Sequence, residues 1–211
     1  MRKTIFLLPA LCLVLLAKGQ YAGYKLLSDL AVFKEQFTGA AQKTNTIKSD
    51  FTQEKNLSLL SEKIVSKGKF WFKKDNLVRM EYTQPFQYLM IINKNNVYVK
   101  DGQKENTIST KSNKLFQQIN KITVDCVRGT ALSNPDFKIR VFENNSGYLI
   151  ELTPVPKNLQ DFFRNINVIV EKNNYAVNRI EMHEKAGDNT TINFVNKELN
   201  VNLPDALFAI R

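Results

Sequence analysis

Histidine, tryptophan and cysteine are almost missing from this chain of 211 residues, which has 1 His, 1 Trp and 2 Cys. Two cysteines cannot build a disulfide framework, and one histidine with so few thiols leaves little for a structural zinc site. G-x-S-x-G, H-E-x-x-H and C-x-x-C motifs are lacking, and so is a glycine-rich phosphate loop. The common signatures of nucleophilic, metallopeptidase, redox and nucleotide chemistry are therefore missing. His183, between Met182 and Glu184, falls on a predicted strand and reads as a surface or half-buried residue. No Asp or Glu pair stands out on apolar strands, where a raised carboxyl pKa would serve acid–base work. The reading is of a protein that is not an enzyme and takes no cofactor or metal. No Pro/Gly/Ser linker, 20–50-residue repeat or low-complexity tract divides the chain, which reads as one domain. The apolar run from Ile5 to Ala17 is shorter than the about 20 residues a bilayer needs.

What is present is ordinary globular composition: 43% apolar, 24% charged, formal net charge +10. That excludes a disordered, collagen-like or multi-span membrane chain. Arg2 and Lys3 precede the apolar run, which ends in Ala17-Lys18-Gly19. Residues 1–19 thus read as a cleavable secretory signal peptide and 20–211 as the mature domain. Cleavage removes Cys12, which has Leu11 before it and so does not fit a lipoprotein signal. Cys126 is left unpaired and reads as a small buried apolar residue. Positive charge is densest at Lys67, Lys69, Lys73 and Lys74, with Phe70, Trp71 and Phe72 among them. Such interleaving can bind nucleic acid, but lysines on the wet face of a strand and aromatics on the dry face fit an exported protein better. No nucleic-acid partner is expected.

Leu26, Leu30, Phe33 and Phe37 fall at i, i+4, i+7 and i+11, one apolar stripe of a helix over Tyr24–Gln42. From Ile47 the period becomes two. Short alternating runs follow, punctuated by Asp75-Asn76, Asn93 to Asn96 and Asp101-Gly102, as in an antiparallel meander. Ser112 to Ile122 interrupts it with a helical stripe of Leu115, Ile119 and Ile122, with Phe116 alongside. Strands resume at Phe137, with Asn144 to Gly147 as a hairpin turn, and continue to Val195. About ten antiparallel strands in one sheet must curl or close, because open edges are a liability. The striped helices then fit over the concave face. The expected fold is mainly β: a single unclosed antiparallel barrel with a helical lid over an apolar space.

The segment from Gly68 to Pro85 is the most informative. If its two strands form a hairpin, an even loop pairs Trp71 with Met80 and Phe70 with Glu81. An odd loop pairs Phe72 with Met80 and Phe70 with Tyr82. Only the odd loop gathers Phe70, Phe72, Val78, Met80 and Tyr82 on one face and leaves Lys69, Lys73, Arg79 and Glu81 on the other. Burial at about 1.5–3 kcal/mol per large side chain favours it. Further back, Asn56 to Ser61 carries Leu57, Leu59 and Leu60 between strands. It reads as a buried loop, with an exposed apolar loop for membrane or partner contact as the alternative.

Phe51-Thr52-Gln53, Gly68 with Phe70 and Phe72, and the run Leu77-Val-Arg-Met-Glu-Tyr-Thr-Gln-Pro85 resemble the LolA family of periplasmic outer-membrane lipoprotein carriers. Leu89 to Ile92, Val97-Tyr98-Val99, Leu152-Thr153-Pro154, Thr190 to Phe194 and a terminal Leu203 to Phe208 continue the order, so the resemblance covers about Tyr24 to Phe208. It implies a periplasmic, monomeric carrier of acylated lipoproteins. Such a carrier is loaded by an inner-membrane ABC-type lipoprotein-releasing complex and unloads at an outer-membrane acceptor or the membrane itself. The lipid-binding cavity is expected from Phe70, Phe72, Val78, Met80, Tyr82, Leu89 and Ile91 of the sheet and Leu30, Phe37, Leu115, Phe116 and Ile119 of the helices. The choice of Leu89 and Ile91 rests on the resemblance, because their strand is apolar on both faces. Family members often carry Arg-Pro before the second hairpin strand, where the Arg helps hold the lid closed. Here these are Lys74 and Asp75, so Lys74 is the candidate latch, able to donate to carbonyls without the planar fork. A LolA-like sensor that regulates a membrane partner and a carboxylate hydrolase in the same cleft are the alternatives.

Overall fold

A computed structural model describes residues 21–59, 62–101, 104–109, 125 and 130–210. The signal peptide expected over residues 1–19, the helix expected over Ser112–Ile122 with Leu115, Phe116 and Ile119, and Cys126 lie outside the described residues, as does Leu60.

Twelve antiparallel strands form one sheet with the order β1-β8-β9-β10-β11-β12-β2-β3-β4-β5-β6-β7. They are β1 (Lys25–Leu26), β2 (Thr46–Leu57), β3 (Glu62–Lys73), β4 (Leu77–Gln84), β5 (Tyr88–Asn93), β6 (Asn96–Asp101), β7 (Lys104–Ser109), β8 (Phe137–Glu143), β9 (Gly147–Pro154), β10 (Phe163–Glu171), β11 (Val177–Glu184) and β12 (Asn189–Leu199). Helix α1 (Leu30–Lys43) and a single turn, α2 (Lys157–Gln160), are accompanied by two short 3-10 turns, Ala131–Ser133 and Asp205–Phe208. The first and last strands of this order do not pair, so the sheet is an unclosed half-barrel. Both halves are meanders, and β12 joins them by pairing with β2.

The sheet buries both faces, unequally. Its inner face, under α1, holds the main core: Phe51, Phe70, Phe72, Val78, Ile150, Val168 and Ile180 among others. On the outer face, the segment after β12 straps across β3–β6. There Leu203 and Phe208 pack on Ile91 and Tyr98, with Trp71, Leu77 and Leu89 alongside. Lys73 fixes the strap by donating to the Leu203 carbonyl (3.1 Å), and Asn93 donates to that of Phe208 (3.0 Å).

Two expectations need correction. The first helix begins at Leu30, not Tyr24, because Asp29 accepts from the Val32 amide at 3.0 Å and caps it. Leu26 lies in β1, opposite Phe142 of β8. The described residues hold twelve strands, in keeping with the expected number of about ten. Finally, β12 runs past Val195 to Leu199. Asn196 takes a left-handed φ of 54° within a bulge, and the ladder then resumes at Glu198.

Candidate lipid-binding face

The β3–β4 hairpin has the odd loop that the alternation favours: Lys74, Asp75 and Asn76 connect the Lys73–Leu77 pair. Asp75 and Asn76 both sit at positive φ, 72° and 62°. A proline, locked near −65°, has no place at Asp75, which accounts for the departure there from Arg-Pro. The register lies two residues from the expected one: Phe70 faces Met80 and Phe72 faces Val78, while Tyr82 faces Gly68. A step of two preserves the face, so Phe70, Phe72, Val78, Met80 and Tyr82 do share the inner one.

Gly68 is required by its neighbours. A Cβ there would lie 2.1 Å from the Glu81 carbonyl oxygen and 2.6 Å from the Phe51 ring. Phe51 occupies that space and meets Tyr82 edge-on, at 4.9 Å between centroids. Tyr82 in turn meets Tyr88 edge-on at 5.6 Å and stacks on Phe86 at 5.9 Å. Its hydroxyl donates to Gln53 Oε1 at 2.8 Å. Burial pushes the Tyr82 pKa up, and Tyr88 adds to the effect, so the phenol stays neutral.

Burial is graded along this face. Phe70, Phe72, Val78, Ile92 and Val97 are sealed, whereas Met80, Tyr82, Tyr88 and Val99 are only partly covered. The face therefore runs from a closed core into an aromatic-lined region that solvent reaches.

Leu89 and Ile91 are not part of it. They pair with Glu81 and Arg79 and belong to the outer face, covered by the C-terminal strap. Met90 and Ile92 take the inner places. Leu30 is corrected too: it is 36% exposed on α1, and Leu27 packs against the core instead. Phe37 is buried as expected, and so is Phe33, 5.7 Å from it between centroids. Phe33 also packs on Tyr148 and Tyr175 of the β9–β11 half. The Tyr175 hydroxyl donates to Gln36 of α1, and burial, with help from Tyr148, pushes its pKa up to about 12.

Helix α1 spans about 21 Å at 1.5 Å per residue and bridges the two halves of the sheet. At its start the Leu27 amide donates to the Val141 carbonyl of β8 (2.9 Å). At its end the Lys74 ammonium donates to the Gln42 carbonyl in the last turn (2.6 Å). The helix meets the sheet through side chains, less closely than neighbouring strands meet one another.

Carboxylates sit elsewhere. Glu151, 2% exposed, lies on the outer face of β9. It accepts from Arg140 Nε at 2.8 Å and from the Tyr21 hydroxyl, and Asn167 and His183 extend the network on β10 and β11. A pocket of about 570 Å³ at the β8–β9 turn is polar, with Lys25 and Lys172 both paired to Glu143. Neither arrangement places paired carboxyls on the inner face.

The profile of the family described as outer membrane lipoprotein carrier protein LolA matches residues 42–211. The chain belongs to the LolA family. No curated protein matches it. Among solved structures it is similar to a LolA superfamily protein of Nitrosomonas europaea, at 12% identity and TM-score 0.45, over 84% of this chain and 97% of that one. It is also similar to an uncharacterized conserved protein of Thermus thermophilus, at 10% identity and TM-score 0.50, over 82% and 91%. Mycobacterium tuberculosis lipoprotein LppX follows at 10% identity and TM-score 0.44, over 81% and 95%. At these identities the likeness to the Thermus protein is one of fold alone.

Proposed function

We propose that this LolA-family protein is a periplasmic carrier. It takes acylated lipoproteins from an inner-membrane ABC-type releasing complex, covers their acyl chains with its inner face, and gives them up at the outer membrane. The observation that carries this reading is the solvent-reached part of the inner face. Met80, Tyr82, Tyr88 and Val99 lie among sealed apolar residues yet stay partly uncovered, and such a surface is more often functional than accidental. The chemistry is burial, at about 0.8 kcal/mol for each CH₂ removed from water. No residue has to act as acid, base or nucleophile. Lys74, on the α1 carboxyl end, serves as the latch of a lid that must open for loading and release.

Met80→Glu tests the reading by pairing a thermal melt with titration of a fluorescent fatty acid. On a wet face the new carboxylate stays hydrated. The expected loss of stability is then about 1 kcal/mol, or about 2–4 °C for a domain of this size, while fatty-acid affinity falls at least about tenfold. A loss of several kcal/mol would make Met80 ordinary sealed core and remove the proposed site.

A further inference from the structure

The strand registers define two ends of the half-barrel. Phe163 pairs with Glu184, His183 with Asn189, Asn189 with Asn56, and Lys67 with Gln84. The β2–β3 tip, the β11–β12 turn, the β4–β5 turn and the segment between β9 and β10 therefore share one rim. Helix α1 is tied to the β3–β4 turn at the other end by Lys74.

Apolar side chains collect at this rim. Six of the ten large hydrophobic residues exposed among the described residues lie there: Leu59, Ile64, Val65, Phe86, Val155 and Phe162. Leu59 is 91% exposed at the tip, which corrects the expectation of a buried loop. The tip is held in place, because the Ser58 amide and hydroxyl both donate to Asp188 of the next turn (2.9 and 3.0 Å). β3 also runs past its last pair with β4, leaving Glu62 to Ser66 with β2 as their one sheet neighbour among the described residues. Phe86 links this rim to the inner face by its stack on Tyr82.

The charges favour a negative surface. Glu54 is paired with Lys63 at 2.6 Å, Glu184 with Lys55 at 3.2 Å, and Asp188 is taken by Ser58. Lys67, Lys157, Arg164 and Lys185 have no ion-pair partner among the described residues, against Glu62, Asp136 and Asp161, and without residues 1–19 the chain has 27 Lys+Arg against 20 Asp+Glu, a net of +7. We infer that this rim docks on an anionic phospholipid surface, with Leu59 and Phe162 entering the interface and the free basic side chains beside the phosphates. Apolar insertion supplies the affinity and charge the approach. The inference builds on the carrier reading, because docking here would set the Phe86–Tyr82 path against the lipid.

The test is co-sedimentation of the mature chain with vesicles of phosphatidylethanolamine and phosphatidylglycerol, with phosphatidylcholine vesicles as the neutral control. The variants are Leu59→Glu, Phe162→Glu and the milder Leu59→Ser, each with a melt and a fatty-acid titration. The expected result is anionic-vesicle binding that added salt weakens. Each Glu variant should lose it at least about fivefold and Leu59→Ser less, with melting and fatty-acid binding unchanged. Equal sedimentation of the variants, or none of the wild type with any vesicle, overturns the inference. So does a concentration-dependent dimer that Leu59→Glu abolishes, since a second copy would then cover the rim. Vesicle binding intact in a protein that takes up no fatty acid overturns the carrier reading and leaves the docking rim standing.

Discussion

Lys74→Ala isolates the proposed latch. The Lys74 amide, which donates to the Asn45 carbonyl at 2.9 Å, survives the substitution, so the turn keeps its backbone anchor. What is lost is the ammonium bond to the Gln42 carbonyl at 2.6 Å. A charged hydrogen bond at a partly exposed site, at the negative end of a helix, contributes about 1 kcal/mol net. That converts to about a fivefold rise in the ratio of open to closed lid. The remaining hold includes Phe33 and Phe37, both nearly fully buried, and the Tyr175 bond to Gln36, so the proposed lid stays mostly closed. Once lifted, a 14-residue helix is marginal in water and frays, which makes amide exchange a readout of opening. Exchange across Phe33–Lys43 should quicken about fivefold in Lys74→Ala, and β9 and β10 should not change. Fatty-acid uptake should quicken with it, and Lys74→Arg should restore closure through its wider fork. Unchanged α1 exchange would refute the latch. Equal acceleration in α1 and β10 would refute it too, by showing a general loss of stability.

Two further outcomes follow from local geometry. Gly68→Ala sets a Cβ 2.1 Å from the Glu81 carbonyl oxygen, a backbone atom no rotamer can move. The variant should lose about 3 kcal/mol, near the upper end for overpacking, and a melt within about 2 °C of wild type would disprove the close approach. Asp188 is held below its usual 3.8 by the Ser58 amide and then the Ser58 hydroxyl. The stability it adds is present above that unfolded value and is lost as pH falls through the lower folded one. Melts of Asp188→Asn should therefore lie below wild type at neutral pH and converge with it in acid; a constant gap would mean the carboxylate charge plays no part.

The meander, its single sheet and the shared face of Phe70, Phe72, Val78, Met80 and Tyr82 are readable because polar and apolar residues alternate where one face is wet. Alternation fails on β5. The C-terminal strap buries its outer side as well, so Leu89 and Ile91 looked equivalent to Met90 and Ile92. The two-residue turn between Asn93 and Asn96 could have settled it, since it pairs Met90 with Val99 and Ile92 with Val97. Spacing alone ignores the Asp29 cap, so the helical stripe extends back to Leu26 and carries Leu30 inward with it. Leu59 defeated the expectation that leucines are covered, as an exposed leucine at a tied turn has no signature in periodicity.

The strand order also bears on how the chain is put together. Every ladder within β2–β7 and within β8–β12 joins neighbours in sequence, and these can close locally. The β2–β12 ladder joins segments far apart; Ser49 Oγ reaches the Val195 carbonyl across 146 residues. Until β12 has been synthesised, β2 and β11 both present open edges beside an uncovered apolar face, the conditions for edge-to-edge aggregation. A chain cut shortly before Asn189 would keep most of its length and lose the strand that joins its two halves.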